Sequence, residues 1–292
     1  MGSAVPFGLV SAIAAALLAG AGSSARNGVI AFEAERDGNI DVYTIHSDGS
    51  AQRRLTFAPG FDGFPDWSPD GRRIVFESMR DGNAELYVMD AGGLHERRVT
   101  HDGGFDGIPS WSPDGRRIAF QSERDGNSEI YLMNADGSQV RRLTRNSAFD
   151  GGPIWLRGGS LIAFVSARRR SLDVYSMDDR GGHVRRLTTS PLEDSFPAPS
   201  PDGKRIAFAQ GSPAGGAIFV MNADGSHARR LTSGSSNDAA PAWSPDGRQI
   251  VFTSDRGGIE SIYLMRVDGS HVRRLTQGSP SALPDWQPLP GR

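Results

Sequence analysis

Five aspartates, Asp62, Asp106, Asp150, Asp194 and Asp238, recur every 44 residues, and Ser281 stands at the sixth equivalent position. Five carboxylates brought to one place by a repeat would do electrostatic chemistry. Two of them ~8 Å apart at an effective dielectric of ~20 repel by about 2 kcal/mol. Such a ring favours a cation, an arginine or raised pKa values. Oxygen-only ligation suits Ca²⁺ or Mg²⁺ rather than zinc. The competing reading is that each Asp binds backbone N–H groups of its own loop, as Asp before a turn often does. The second cluster is Arg168-Arg169-Arg170, which replaces an Arg-Asp-Gly-Asn turn found one repeat earlier at Arg124 to Asn127.

The histidines are less promising. His95, His183, His227 and His271 share one repeat position, so the repeat spreads them around a circumference where they cannot meet at one metal. His101 lies near Asp106 and keeps an enzymatic alternative open: a hydrolase or lyase with a divalent metal at a channel mouth. No Gly-x-Ser-x-Gly elbow, His-Glu-x-x-His pair or glycine-rich phosphate loop is present. The absence of Cys rules out disulfides, thiolate metal sites and a Cys nucleophile. No catalytic residue is assigned.

These side chains hang on a unit written six times, clearest at Trp111 to Thr144, WSPDGRRIAFQSERDGNSEIYLMNADGSQVRRLT. Ser112-Pro113-Asp114-Gly115 suits a type I turn, and Asp125-Gly126 and Asp136-Gly137 are hairpin signals. Between them, Arg117 to Ser122, Glu129 to Asn134 and Gln139 to Thr144 read as short strands, with a fourth around Pro109 to Ser112. A 44-residue period of four antiparallel strands predicts an all-β, six-bladed β-propeller. The chain enters blade one at its second strand, Val29 to Ala34. The missing inner strand comes from the far end, where Leu283-Pro284-Asp285-Trp286 matches Phe64-Pro65-Asp66-Trp67, so the C-terminal strand closes the ring. Trp243 to Trp286 is one residue short of the repeat, which predicts some irregularity in that last strand.

Outside the repeat, residues 1–25 read as a signal peptide. Val5 to Ala21 is apolar and uncharged, ends in small residues suited to cleavage after Ala21 or Ala25, and is shorter than the ~20 residues of a spanning helix. The propeller then fills residues 26–292. With a formal net charge of −2 over 292 residues, the chain lacks the basic footprint of a nucleic-acid binder. The Arg pairs from Arg53-Arg54 to Arg273-Arg274 fall on the outermost strands, where charge discourages edge-to-edge pairing.

The unit Trp-Ser-Pro-Asp-Gly-Arg…Ala-Phe…Asp-Gly-Asn…Ile-Tyr…Asp-Gly-Ser…Arg-Arg-Leu-Thr resembles the repeat of TolB-type propellers, intact in residues 111–144 and nearly so in 67–100. The resemblance spans about residues 28–287. It implies a periplasmic or secreted, non-catalytic scaffold that binds a protein partner such as an envelope lipoprotein, without a stable membrane span. A monomer without cofactor is expected, unless the Asp ring holds Ca²⁺. The loop into each inner strand and the turn between the second and third strands share one side of the disc. The Asp positions and Arg168 to Arg170 therefore mark the expected partner-binding face.

Overall fold

The computed structural model describes residues 27–156, 158–169, 171–212 and 215–289; the expected signal peptide at 1–25 lies outside them. The described residues form six four-stranded antiparallel sheets, five of them running in chain order from an inner strand to an outer one. No helix among them is long and apolar enough to cross a membrane. Blade three consists of an inner strand Asp106–Trp111, a second strand Arg117–Ser122, a third strand Glu129–Asn134 and an outer strand Arg141–Arg142. In blade one the inner strand is Ser281–Trp286, paired to Val29–Arg36. Ring closure by the C-terminal strand is thus as expected. That strand is no more irregular than the others: it carries the same register shift, and the missing residue falls in the loop after Thr276.

The second and third strands bury both faces because neighbouring blades cover them. Phe32, Phe76, Phe120, Phe164, Phe208 and Phe252 are fully buried, each beside the Tyr or Phe opposite it on the third strand, at ring separations from 5.6 Å in blade five to 6.0 Å in blade six. The inner-strand Trp packs between blades: Trp111 joins Val75, Leu86 and Val88 of blade two to Phe120 and Tyr131 of its own. From blade two, the Arg73 guanidinium lies 4.7 Å from its ring centroid.

The outer strand is shorter than expected, and the closing Leu-Thr explains why. After two residues the ladder is taken over by a side chain: Thr144 Oγ1 accepts the Ile130 N–H at 2.9 Å, as Thr100 does for Leu86 at 2.8 Å. The hydroxyl stands in for a strand carbonyl and satisfies a buried donor. The Asp-Gly-Ser turn is fixed by inter-blade contact. A Cβ on Gly137, whose φ is 93°, would stand 2.3 Å from the Val99 carbonyl oxygen of blade two.

The first Arg of each outer pair does more than charge the outer edge. Arg53, Arg97, Arg141, Arg185 and Arg229 each donate to a backbone carbonyl in the next blade's turn, for instance Arg97 to Ala135 at 3.0 Å, and Arg273 donates to Ser47 of blade one. The six therefore lace the rim of the disc, across the closing seam as well.

Candidate functional site

On the side of the disc where inner strands begin, here the entry face, the five repeat aspartates do not form a ring of ligands. Each is the first residue of its inner strand rather than part of a loop, and each is buried. Four of them also spend their charge inside their own blade. Arg80 reaches Asp62 at 2.9 Å, Arg124 reaches Asp106 at 2.7 Å, Arg168 reaches Asp150 at 2.6 Å, and Arg256 reaches Asp238 at 2.7 Å. Asp194, in the blade that lacks this Arg, accepts from Gln210 at 2.8 Å. Burial pushes the carboxyls of Asp62, Asp106 and Asp194 up, against the pull of their hydrogen-bond partners. Among the described residues no three His, Cys, Asp or Glu side chains are grouped to hold a metal ion. The cation expected at five convergent aspartates thus loses its geometry, because the carboxylates turn into their blades.

The arginine of each pair is itself fixed. Arg124 donates to Ser122 Oγ at 2.9 Å, and its guanidinium lies 5.0 Å from the Tyr131 centroid. Tyr131 in turn donates to Asp125, which Arg142 binds, and Arg142 also holds buried Glu129 at 2.7 Å. Two arginines thus serve three carboxylates within one blade, a network that suits a scaffold. We expect Asp106→Asn, which leaves the half-buried Arg124 without its counter-charge, to cost about 3 kcal/mol. In a thermal melt its Tm should fall on the order of 10 °C. A melt as high as that of Asp136→Asn, an exposed far-face turn, would contradict the pairing. Of the Arg triplet, Arg168 is spent on Asp150, Arg169 is exposed, and Arg170 lies outside the described residues.

The histidine position also has a backbone explanation. His95, His183, His227 and His271 have φ between 51° and 56°, and Ala51 and Gln139, at the same repeat position in the other two blades, have 54° and 57°, so this residue follows the turn in a left-handed conformation. His tolerates that region better than most side chains.

The concave site is the central cavity, of about 490 Å³, lined by all six inner strands. Pro65, Pro109, Pro153, Pro197, Pro241 and Pro284 stand in it, one per blade. Each follows a residue with φ near 50°, from Ala240 at 48° to Gly152 at 55°. Proline cannot donate to the ladder, so each inner strand bulges there and its register shifts. The bulge turns backbone N–H groups toward the preceding blade. Glu33 Oε2 accepts from Phe64, Glu77 Oε2 from Ile108, Gln121 Oε1 from Gly152, and Thr253 Oγ1 from Leu283. One step on, Asp285 accepts from the Trp67 N–H at 2.9 Å, Asp66 from Trp111 at 2.7 Å, and Ser110 from Trp155 at 3.3 Å.

Four of these acceptors are carboxyls held in an apolar surround. Burial, with repulsion from Glu260, raises Glu33 to about 7; burial, with repulsion from Glu33, raises Glu77 to about 7. Asp285 is raised to about 7 by burial, and Asp66 is pushed well up by burial and by the nearby Asp285. The sequence reading did not single out these residues. The signal was present in the matching Phe-Pro-Asp-Trp and Leu-Pro-Asp-Trp: ring closure makes these strands neighbours, so their two aspartates meet.

The TolB beta propeller domain model matches residues 22–107, 97–213 and 191–289. No curated protein matches the chain. Among solved structures, TolB from Acinetobacter baumannii is 27% identical with a TM-score of 0.80, over 90% of this chain and 67% of that one. A TolB structure from Agrobacterium tumefaciens is 26% identical with a TM-score of 0.70, over 90% of this chain and 99% of that one. Oligogalacturonate lyase from Vibrio parahaemolyticus, at 15% identity and a TM-score of 0.60 over 86% of this chain and 74% of that one, shares the fold.

Proposed function

Since this chain belongs to the TolB beta propeller domain family, we propose that it is a non-catalytic protein-interaction scaffold of the periplasm or secreted space, whose partner docks on the entry face. The observation that carries this reading is where the exposed aromatic side chains lie, since the exposed apolar residues of the far side, Leu94, Val140, Leu161, Val184 and Val272, are all aliphatic. Phe57, Met79, Phe149, Phe196 and Ile259 are exposed on that side, and Phe149 and Phe196 flank the cavity. Exposed aromatics beside a concave site are what a protein interface uses as anchors. The far face is built of near-identical turns whose polar groups bond one another, as Ser112 Oγ does with Asp114 at 2.5 Å. The buried aspartates and their arginines hold the entry-face loops from beneath; Arg169 and the apolar residues are the groups a partner would touch. An envelope lipoprotein is the partner class we favour.

The test is capture of such a lipoprotein by the full chain, with Phe149→Asp and Phe196→Asp on the entry face and Leu94→Asp on the far rim. Losing two central aromatic anchors should weaken capture by about a hundredfold, with Leu94→Asp near wild type. The reverse pattern would overturn the face assignment. Turnover of an ester, lactone or uronide by the purified chain would replace the scaffold reading altogether.

A further inference from the structure

The central cavity is polarised in a way the repeat does not require. At the position of Asp66 the successive blades carry Ser110, Ile154, Ala198 and Ala242, and then Asp285. At the position of Glu77 they carry Gln121, Val165, Ala209 and Thr253, and then Glu33. Both departures place carboxyls on blades one and two and leave blades four and five apolar. Phe149, Val165, Leu172 and Phe196 form the opposite wall.

The structural task of these carboxyls needs no charge. Gln121, Ser110 and Thr253 accept the corresponding N–H groups with an amide or a hydroxyl. Elsewhere the chain gives most buried carboxylates an arginine, Asp194 excepted: Asp41 has Arg54, Glu85 has Arg98, Glu129 has Arg142 and Asp173 has Arg186, besides the four inner-strand pairs. Among the described residues, Glu33, Glu77, Asp66 and Asp285 have no such ion pair, and no Lys, Arg or His lines the cavity. A hard dication fits poorly, since it takes six to eight oxygens and this cavity offers mainly proline, phenylalanine and aliphatic wall. The volume lies in the range of small-ligand sites, which combine apolar walls with a few convergent polar groups.

We propose that the central cavity binds an organic ammonium ion with an apolar body, its cation on Asp66 and Asp285 and its body against Phe149 and Phe196. Phe149 and Phe196 are shared with the partner surface proposed above, whereas Asp66 and Asp285 are not, so the Asp66 variants test the cavity separately from that surface. The raised pKa values agree with carboxyls that lack their counter-ion.

Titration calorimetry of the full chain with phenethylammonium and with its neutral analogue 2-phenylethanol tests this. Phenethylammonium should bind at one site, about tenfold or more tighter than the alcohol, as a charge-assisted hydrogen bond in place of a neutral one implies. Asp66→Ser, copying the residue blade three uses, should remove most of that preference. Asp66→Asn, which keeps an acceptor for the Trp111 N–H, serves the same purpose should the serine variant misfold. Equal affinity for amine and alcohol, no saturable binding of the amine, or unchanged preference in a folded Asp66 variant would each overturn the proposal.

Discussion

Removing residues 280–292 should abolish the cooperative fold and leave a chain that aggregates. The segment supplies the inner strand of blade one, with Trp286 buried in a cluster that includes Ile30, Phe32 and Tyr43 of blade one and Val251, Ile262 and Leu264 of blade six. Truncating one buried Trp costs about 3–5 kcal/mol. The deletion also takes the ladder from Val29–Arg36, the Gln287 N–H bond to Val29, the Gln287 side-chain bond to Gly71, and the Asp285 carboxylate that accepts from Trp67. Together these reach the whole stability of an ordinary domain, about 5–15 kcal/mol. What remains is an unpaired inner edge facing its neighbours, a template for strand addition. Trp111→Ala is the matched control, because it removes the same packing without opening the ring. It should lower the melting temperature and remain monomeric on gel filtration. A deletion variant that is monomeric and melts no lower than Trp111→Ala would show that closure contributes nothing.

That prediction could be framed from the sequence, because turn chemistry and a 44-residue period fix blade number and strand order together. The second and third strands of blade three lie where alternation places them, Arg117–Ser122 and Glu129–Asn134. The inner strand begins earlier than its residue pattern indicates, because its proline-centred bulge breaks the period-two alternation and hides the pairing of Asp106 with Ser122. The outer strand was overestimated because a Thr hydroxyl can end a ladder without changing the pattern of residue types. The Asp positions show the deeper difficulty. A period says which residues are equivalent and nothing about where their side chains point. The clue was a second column, Arg80, Arg124, Arg168 and Arg256, each eighteen residues after its Asp. Two columns of opposite charge in step are more economically read as pairs within blades than as a ring across them. Asp66 and Asp285 show the complement. They depart from the repeat in two copies, and only closure makes those copies adjacent.

The carboxyls of blades one and two that lack an arginine should make the protein more stable in mild acid than at neutral pH. Glu33, Glu77 and Asp285 are each raised to about 7, from 4.5 for the glutamates and 3.8 for the aspartate. Between those values the folded chain holds protons that the unfolded chain has released. Stability therefore falls as pH rises, and the contribution present below about pH 4 is lost by the time pH passes 7. Several surface aspartates act the other way, half-buried Asp178 among them, held down to about 2 by His183 and by the Gly182 N–H. Their contribution is lost only well below pH 4, so the optimum should lie near pH 5. Glu77→Gln isolates the effect. Gln121 already fills the equivalent position in blade three and accepts the equivalent N–H, so the amide fits without new strain. In urea unfolding at pH 8 the variant should be more stable than the parent by on the order of 2 kcal/mol, and near parity at pH 5. The gain reflects removal of a charge that burial disfavours and no arginine offsets. A parent chain more stable at pH 8 than at pH 5, or a Glu77→Gln variant destabilised at both, would mean that the carboxylate is held ionised by a partner.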